Sequence, residues 1–525
     1  MMQKLSGIFP FSSSVAGNHV APPLQPSIIK GKIQSSFPSF VTCCTTGLHV
    51  LQSAYGSRIE LKKIYIKTLG CKVNTFDSHA LEHQLKERGF SMVSSAQEAD
   101  ISLLNSCSVT MKADQEGRYL IRRLKRENPD AKVVVTGCYA QTDGASIAAL
   151  DDADLVIPNQ VKESLSDLLQ RHFNGDDSAF DGKLPSGVKP VANNRQTHFK
   201  SSTALFTSPD SSRTRAFLKV QDGCNGFCSY CLIPYARGQS RSVPLHDVLR
   251  EAVKLEQAGV PEIVMAGIHL GDYGEDFAEP SSLTDLLQKL LDVTEKIRFR
   301  ISSLEPNEVS RELLELMKEN EDRFCAHFHL PLQSGSDRIL KLMRRTYNRQ
   351  EYLETVELIR SYFPECNVGA DIIPGFPGET DDEHREGIDL CERAKLNYLH
   401  VFPYARRPNT AADKMPNHLP PDVIKKRAQE LRELSDVWRN EFMKRYIGQT
   451  VEVLWEDDLD ELGRRVGKTG NYLDIVATTS FKPQSGTYSA MIVQGHAGKR
   501  LLAQPRTALP SEQPANSFSV QEPIH

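Results

Sequence analysis

Cys224-Asn-Gly-Phe-Cys228-Ser-Tyr-Cys231 is the stretch from which the rest of the chain can be read. Three cysteines spaced CxxxCxxC can hold a 4Fe-4S cubane by three corners and leave its fourth iron without a protein ligand, whereas four thiolates would complete the cluster and suit it to electron transfer. The competing reading, a structural zinc knot, wants four N or S ligands. The next histidine, His246, lies fifteen residues beyond Cys231 and past a proline, so no fourth ligand is close in sequence.

Working outward, Arg215-Ala-Phe-Leu-Lys-Val-Gln221 reads as a strand that feeds directly into the cysteine loop. Further strands are expected at 262–266, 298–302, 327–331, 367–373 and 398–402, with helical segments between them. Alternating β and α elements over some 220 residues predict a complete or partial TIM-type (β/α) barrel, with active-site loops at the carboxyl ends of its strands. The loops at 267–274, 302–306, 330–336 and 374–380 are rich in Gly and Pro, which lets a backbone approach a cofactor closely. Together with the open iron they suggest a site for nucleotide and amino-acid groups, and S-adenosylmethionine is the candidate. His269 reads as a packed or hydrogen-bonded loop residue rather than an iron ligand.

Upstream, three βα units follow one another. Ile64-Tyr-Ile-Lys67 is a strand leading to Cys71 and a helix at 75–88; 99–105 leads to Cys107 and a helix to about Glu127; 131–137 leads to Cys138. The cysteines are 36 and 31 residues apart, about one βα unit. In an open parallel sheet with right-handed crossovers, strand carboxyl ends share one edge. Cys71, Cys107 and Cys138 should meet there and could hold a second 4Fe-4S cluster; the alternative is three buried small hydrophobes.

Composition bounds the remainder. The 525 residues, 39% hydrophobic, allow three or four domains with ample cores. Lys+Arg 63 against Asp+Glu 67 gives a formal charge of −4, so any nucleic-acid surface must be local. Eleven cysteines are too sparse for a disulfide scaffold and suit metal binding in a reducing, cytoplasmic compartment. No apolar run reaches the roughly eighteen residues of a membrane span.

Residues 1–61 lack acidic residues before Glu60, and no Arg precedes Arg58; they read as a disordered or spurious leader rather than a working transit peptide, with no role for Cys43 and Cys44. The expected layout continues with an N-terminal α/β domain at 62–173, a linker at 174–209, the core at 210–440, a small β-barrel at 443–510 and a disordered tail at 511–525. Strand-like stretches at 446–455, 470–479 and 487–494 support that barrel, whose nine Lys+Arg against seven Asp+Glu favour RNA only weakly. Arg464, Arg465 and Lys468 are its candidate phosphate contacts. Lys425-Lys-Arg427 reads as a solvated face that could also touch RNA.

The order of these parts resembles the radical S-adenosylmethionine methylthiotransferases, over about 62–510. Tyr230, the aromatic residue before the third cysteine, matches the superfamily signature. The spellings Thr68-Leu-Gly-Cys-Lys-Val-Asn74, Gln221-Asp-Gly-Cys-Asn-Gly-Phe-Cys228, Ile233-Pro-Tyr-Ala-Arg-Gly238 and Gly267-Ile-His-Leu-Gly271 look most like enzymes that act on N6-threonylcarbamoyladenosine in tRNA. Asn105-Ser-Cys107, where the family often has NTC, is a conservative departure.

The resemblance implies that Cys224, Cys228 and Cys231 ligate the cluster that binds S-adenosylmethionine, that Cys71, Cys107 and Cys138 ligate an auxiliary 4Fe-4S cluster, and that the terminal barrel is a TRAM-like tRNA-binding module. It also implies an anticodon-loop substrate, an electron donor such as flavodoxin or ferredoxin, and a sulfur donor. The carbon to be modified bears an unactivated hydrogen, which calls for a deoxyadenosyl radical rather than acid-base chemistry. Two other readings stay open: a methylthiotransferase acting on isopentenyladenosine or on a ribosomal protein, and a non-catalytic iron-sulfur RNA-binding protein.

Overall fold

The computed structural model describes residues 62–186 and 214–506. The expected leader with Cys43 and Cys44, most of the expected linker, and the tail lie outside them. The first element is a parallel sheet of five strands in the order Ser91–Met92, Lys63–Thr68, Ile101–Ser106, Lys132–Gly137, Leu155–Pro158. Alternation along the central strands sorts side chains to two faces. Ile101, Leu103 and Val134 pack under the helices Lys72–Glu87 and Leu165–Phe173, while Leu104, Val133 and Val135 pack under Met111–Glu127.

Two details depart from the sequence reading. The helix expected to begin at Thr75 begins at Lys72, directly after Cys71, because the Asn74 side chain donates to Leu69 O at 2.7 Å and to Ser106 O at 3.0 Å and locks the first turn onto the sheet. The linker expected from 174 starts later. Phe180–Asp181 and Leu184–Pro185 form a short antiparallel pair, and Lys183 O accepts from Val156 N at 2.8 Å, because Phe180 and Leu184 cover apolar edges of the sheet domain.

The core contains six parallel strands in two sheets. Arg215–Lys219, Glu262–Ala266 and Arg298–Ile301 form one, His327–His329, Asn367–Ile372 and Tyr398–Val401 the other, and a bridge between Phe299 and Phe324 joins them. This is the partial barrel. Its first strand is covered by the N-terminal domain, whose Phe76 and Ala80 pack on Phe217.

After the helix Pro421–Lys444, the chain closes a five-stranded barrel in the order Thr450–Leu459, Arg465–Thr469, Asp474–Ala477, Arg500–Pro505, Tyr488–Ala497, around the fully buried Trp455. Its turn between Thr469 and Asp474 plugs the amino-terminal end of the core strands. Arg300 forks onto Glu262 at 2.8 and 3.1 Å and donates to Gly470 O at 3.0 Å, while Tyr472 stacks on His327 at 4.6 Å.

The basic residues singled out in sequence are largely engaged within the fold. Arg464 pairs with Asp460 at 2.6 Å, Arg465 with Asp457 at 3.4 Å, and Lys468 with Asp474. Arg427, read as solvated, is buried against Glu379 at 2.6 Å and ties the 374–380 loop to the helix; Lys425 and Lys426 remain exposed. Among the described residues, no helix is long and apolar enough to cross a membrane.

Candidate active site between two cysteine triads

The loop carrying Cys224, Cys228 and Cys231 begins at the carboxyl end of the first core strand and is held by Gln221. That buried amide donates to Gly223 O at 2.9 Å and to Ser240 Oγ at 2.8 Å, and its carbonyl accepts from Ile268 N and His269 N, both at 2.9 Å. One side chain thus clamps the 267–274 loop to the cysteine loop. The sulfurs face N–H donors: Gly226 N lies 3.3 Å from Cys224 Sγ, Ile233 N 3.4 Å from Cys231 Sγ, and Arg345 Nη1 3.2 Å from Cys228 Sγ.

A Cβ on Gly226 would stand 3.4 Å from Cys224 Sγ and 3.9 Å from Cys228 Sγ, ordinary contact distances, so the loop backbone runs close against both sulfurs. Burial, and then the Cys228 charge, push the Cys231 thiol far above its ordinary range. Thiols so placed surrender their protons to a metal ion rather than to water.

His269 sits where the sequence placed it, in the loop beside the cysteines. Its Nδ1 is 3.6 Å from Cys224 Sγ and 3.4 Å from Asp272, and its ring also pairs with Glu308. Burial alone would lower its pKa, but the bonds to Cys224 and Glu308 and the carboxylate charges raise it to about 11. The ring is thus tied to sulfur and two carboxylates, with donor atoms of His269, Asp272 and Glu308 within 4.8 Å of one another. His246, the only histidine near in sequence, is exposed and pairs with Asp247 at 3.3 Å.

The second triad forms as the sheet topology requires. Cys71, Cys107 and Cys138 follow three adjacent strands at their carboxyl ends. Gly70, at φ 104°, brings Cys107 so near that a Cβ there would lie 2.8 Å from its sulfur. Burial first, then the neighbouring Cys138 and Cys71, push the Cys107 thiol up to about 12; the buried Cys138 thiol is raised as well. Two buried thiols whose ionisation calls for a cation, with Cys71 beside them, are a fitting cradle for an iron cluster.

Behind this triad lies an ionic network that joins the two domains. Asp77 takes Lys219 at 2.8 Å, Lys162 at 3.2 Å and Arg237 at 3.2 Å; Arg237 also reaches Asn74 Oδ1 at 2.5 Å and Asp222 at 2.9 Å. Sequence reasoning did not identify Arg237, Gln221 or Arg345 as functional. The first two lay inside motifs already quoted; Arg345, just past the helix Asp337–Met343, lay in none.

A cavity of about 200 Å³ lies between the segment that follows Cys107 and the loop that carries Cys231. Ser108 and Val109, next to Cys107, and Cys231, Gln333, Asp371 and Tyr404 of the core line it. A second cavity of about 350 Å³ adjoins it and shares Leu232 and Arg407 as walls.

Comparison with known proteins agrees with this architecture. Residues 63–158 match the Uncharacterized protein family UPF0004, and residues 218–391 match the Radical SAM superfamily, which implies a 4Fe-4S cluster and S-adenosylmethionine. The chain is 36% identical to the Threonylcarbamoyladenosine tRNA methylthiotransferase MtaB of Bacillus subtilis over 78% of its own length and 89% of that protein. It is 37% identical to the protein of the same name from Aquifex aeolicus, over 79% and 96% of the two chains. A tRNA-2-methylthio-N(6)-dimethylallyladenosine synthase from Syntrophus aciditrophicus is 32% identical over 76% and 85%. In fold, the chain is similar to the radical S-adenosylmethionine methyltransferase TsrM from Kitasatospora setae, with a TM-score of 0.51, 14% identity, and coverage of 67% and 75%.

Proposed function

The chain belongs to the radical S-adenosylmethionine tRNA methylthiotransferase family, and from this premise we propose that it methylthiolates C2 of N6-threonylcarbamoyladenosine at position 37, beside the tRNA anticodon. The observation that carries the reading is a cavity walled on one side by Ser108 to Thr110, directly after Cys107, and on the other by Tyr230 to Ile233, which include Cys231. Cys224, Cys228 and Cys231 would hold the cluster that binds S-adenosylmethionine; Cys71, Cys107 and Cys138 would hold an auxiliary one. Clusters of this kind, with S-adenosylmethionine, supply the one-electron chemistry that removes an unactivated hydrogen and the sulfur that replaces it.

The chain's own residues do the positioning. Arg345 and His269 place positive charge and N–H donors against the Cys228 and Cys224 sulfurs. Tyr404 and Asp371 wall the cavity from the core side while Val109 and Thr110 close it from the N-terminal domain, so a base entering it leaves bulk water. The substrate is tRNA; reaching the cavity requires the base to be splayed from its stack. The terminal barrel is proposed to hold the RNA, flavodoxin or ferredoxin to donate electrons, and a separate donor to replenish sulfur. Free cysteines at both triads suit the reducing cytoplasm as the proposed location.

Mass spectrometry of tRNA nucleosides from cells lacking the protein tests the reading. The methylthio-threonylcarbamoyl nucleoside should vanish, return with the wild type, and stay absent with Cys107→Ala. The purified, reconstituted wild type should carry about eight irons and the variant about four; unchanged nucleosides would overturn the assignment.

A further inference from the structure

The larger of the two adjoining cavities carries four charged side chains among its apolar walls. Arg118, Arg407, Asp114 and Asp143 line it together with Thr142. Arg407 is only 6% exposed and is fixed by donating to Asp114 Oδ2 at 2.6 Å, to Ser108 O at 2.9 Å and to Ser108 Oγ at 2.7 Å. Its Nε and the buried Oδ1 of Asp114 nevertheless have no hydrogen-bond partner among the described residues. Arg118 spends one Nη1 contact on Tyr139 Oη at 2.6 Å. A buried donor and a buried acceptor left unpaired cost stability unless a ligand completes them.

We propose that this cavity is the specificity pocket for the N6 substituent of the target adenosine, and that Arg118 and Arg407 select a substituent bearing a carboxylate. The inference rests on the tRNA reading above and deepens it. With the base in the smaller cavity, the substituent passes Leu232, the wall common to both, into the larger one. The threonylcarbamoyl chain, of about ten non-hydrogen atoms, is small against a pocket of this volume. Its carboxylate meets the two guanidiniums, the geometry for which arginine is suited. Its hydroxyl and amide N–H groups meet the carboxylates of Asp114 and Asp143.

A dimethylallyl chain, the substituent in the name of other relatives, offers none of these partners. It would leave two guanidiniums and two carboxylates facing hydrocarbon. Sites built to hydrogen-bond a polar group reject analogues that lack it far more strongly than apolar pockets reject an extra methylene. The sequence hid this pocket because Arg118 and Arg407 are 289 residues apart and belong to different domains.

The test uses reconstituted full-length enzyme and anticodon stem-loop RNAs carrying threonylcarbamoyladenosine, isopentenyladenosine or plain adenosine at the target position. Equilibrium binding by fluorescence anisotropy and kcat/KM for methylthio product are measured for wild type, Arg118→Gln and Arg118→Lys. The ratio of threonylcarbamoyl to plain-adenosine affinity should fall about tenfold to a hundredfold in Arg118→Gln, mostly as a rise in KM, and recover partly in Arg118→Lys. The unfolding midpoint of each variant reports whether it is folded. A wild type that prefers the threonylcarbamoyl RNA, with an Arg118→Gln variant that keeps the same preference, overturns this inference alone. A wild type with no such preference overturns the substrate reading and the pocket together.

Discussion

Asp77 shows how much one buried carboxylate can hold. Burial alone would raise its pKa, but Lys162, Lys219 and Arg237 overcome that and keep it well below the ordinary range. A group whose pKa is lowered by folding contributes stability above its unfolded value near 4, and that contribution is lost as the pH falls toward the folded value. Asp77→Asn is therefore expected to cost about 3–5 kcal/mol at neutral pH, because it strands buried cations. It should also flatten the acid limb of the stability curve below about pH 5. Urea unfolding across pH checks both. The placement of Cys71, Cys107 and Cys138 at one sheet edge was legible from spacing and topology, since each follows one of three adjacent parallel strands. Arg237 was not: its partner Asp77 is 160 residues away in sequence, and no local pattern announces an ion pair made by tertiary folding.

At the scale of elements, short apolar runs marked the three strands that precede Cys71, Cys107 and Cys138 and the core strands to within a residue or two, because strands of a parallel sheet covered on both faces leave an apolar trace. The first helix was misplaced by three residues, where polar Lys72 to Asn74 hide a turn fastened by side-chain bonds. The terminal barrel gave up only part of itself; Arg465–Thr469 and Arg500–Pro505 are short and charged at their ends, and it is ring closure that stabilises them. The turn at Gly70 is the element on which the auxiliary triad depends. Gly70→Ala would force a Cβ to within 2.7 Å of Cys107 Cβ at a backbone φ of 104°, so the variant should lose about half of its iron while the core cluster remains. Iron analysis with EPR of the reduced protein separates that outcome from general unfolding.

Across the whole molecule, the interface between the N-terminal sheet and the core gathers four basic side chains, Lys162, Lys219, Arg237 and Arg241, around two carboxylates, Asp77 and Asp222. The imbalance is positive, and it lies directly behind Cys138, whose charge Arg237 feels. Loading iron and sulfide adds a cluster with three thiolates and net negative charge, so chelation should lower the thermal unfolding midpoint by several degrees, and by less in Cys71→Ala. Differential scanning calorimetry of reconstituted and chelated protein checks this. With the auxiliary cluster held at Cys71, Cys107 and Cys138 as proposed, its negative charge would face this positive seam, and loss of iron would loosen the joint between the two halves before any RNA is bound.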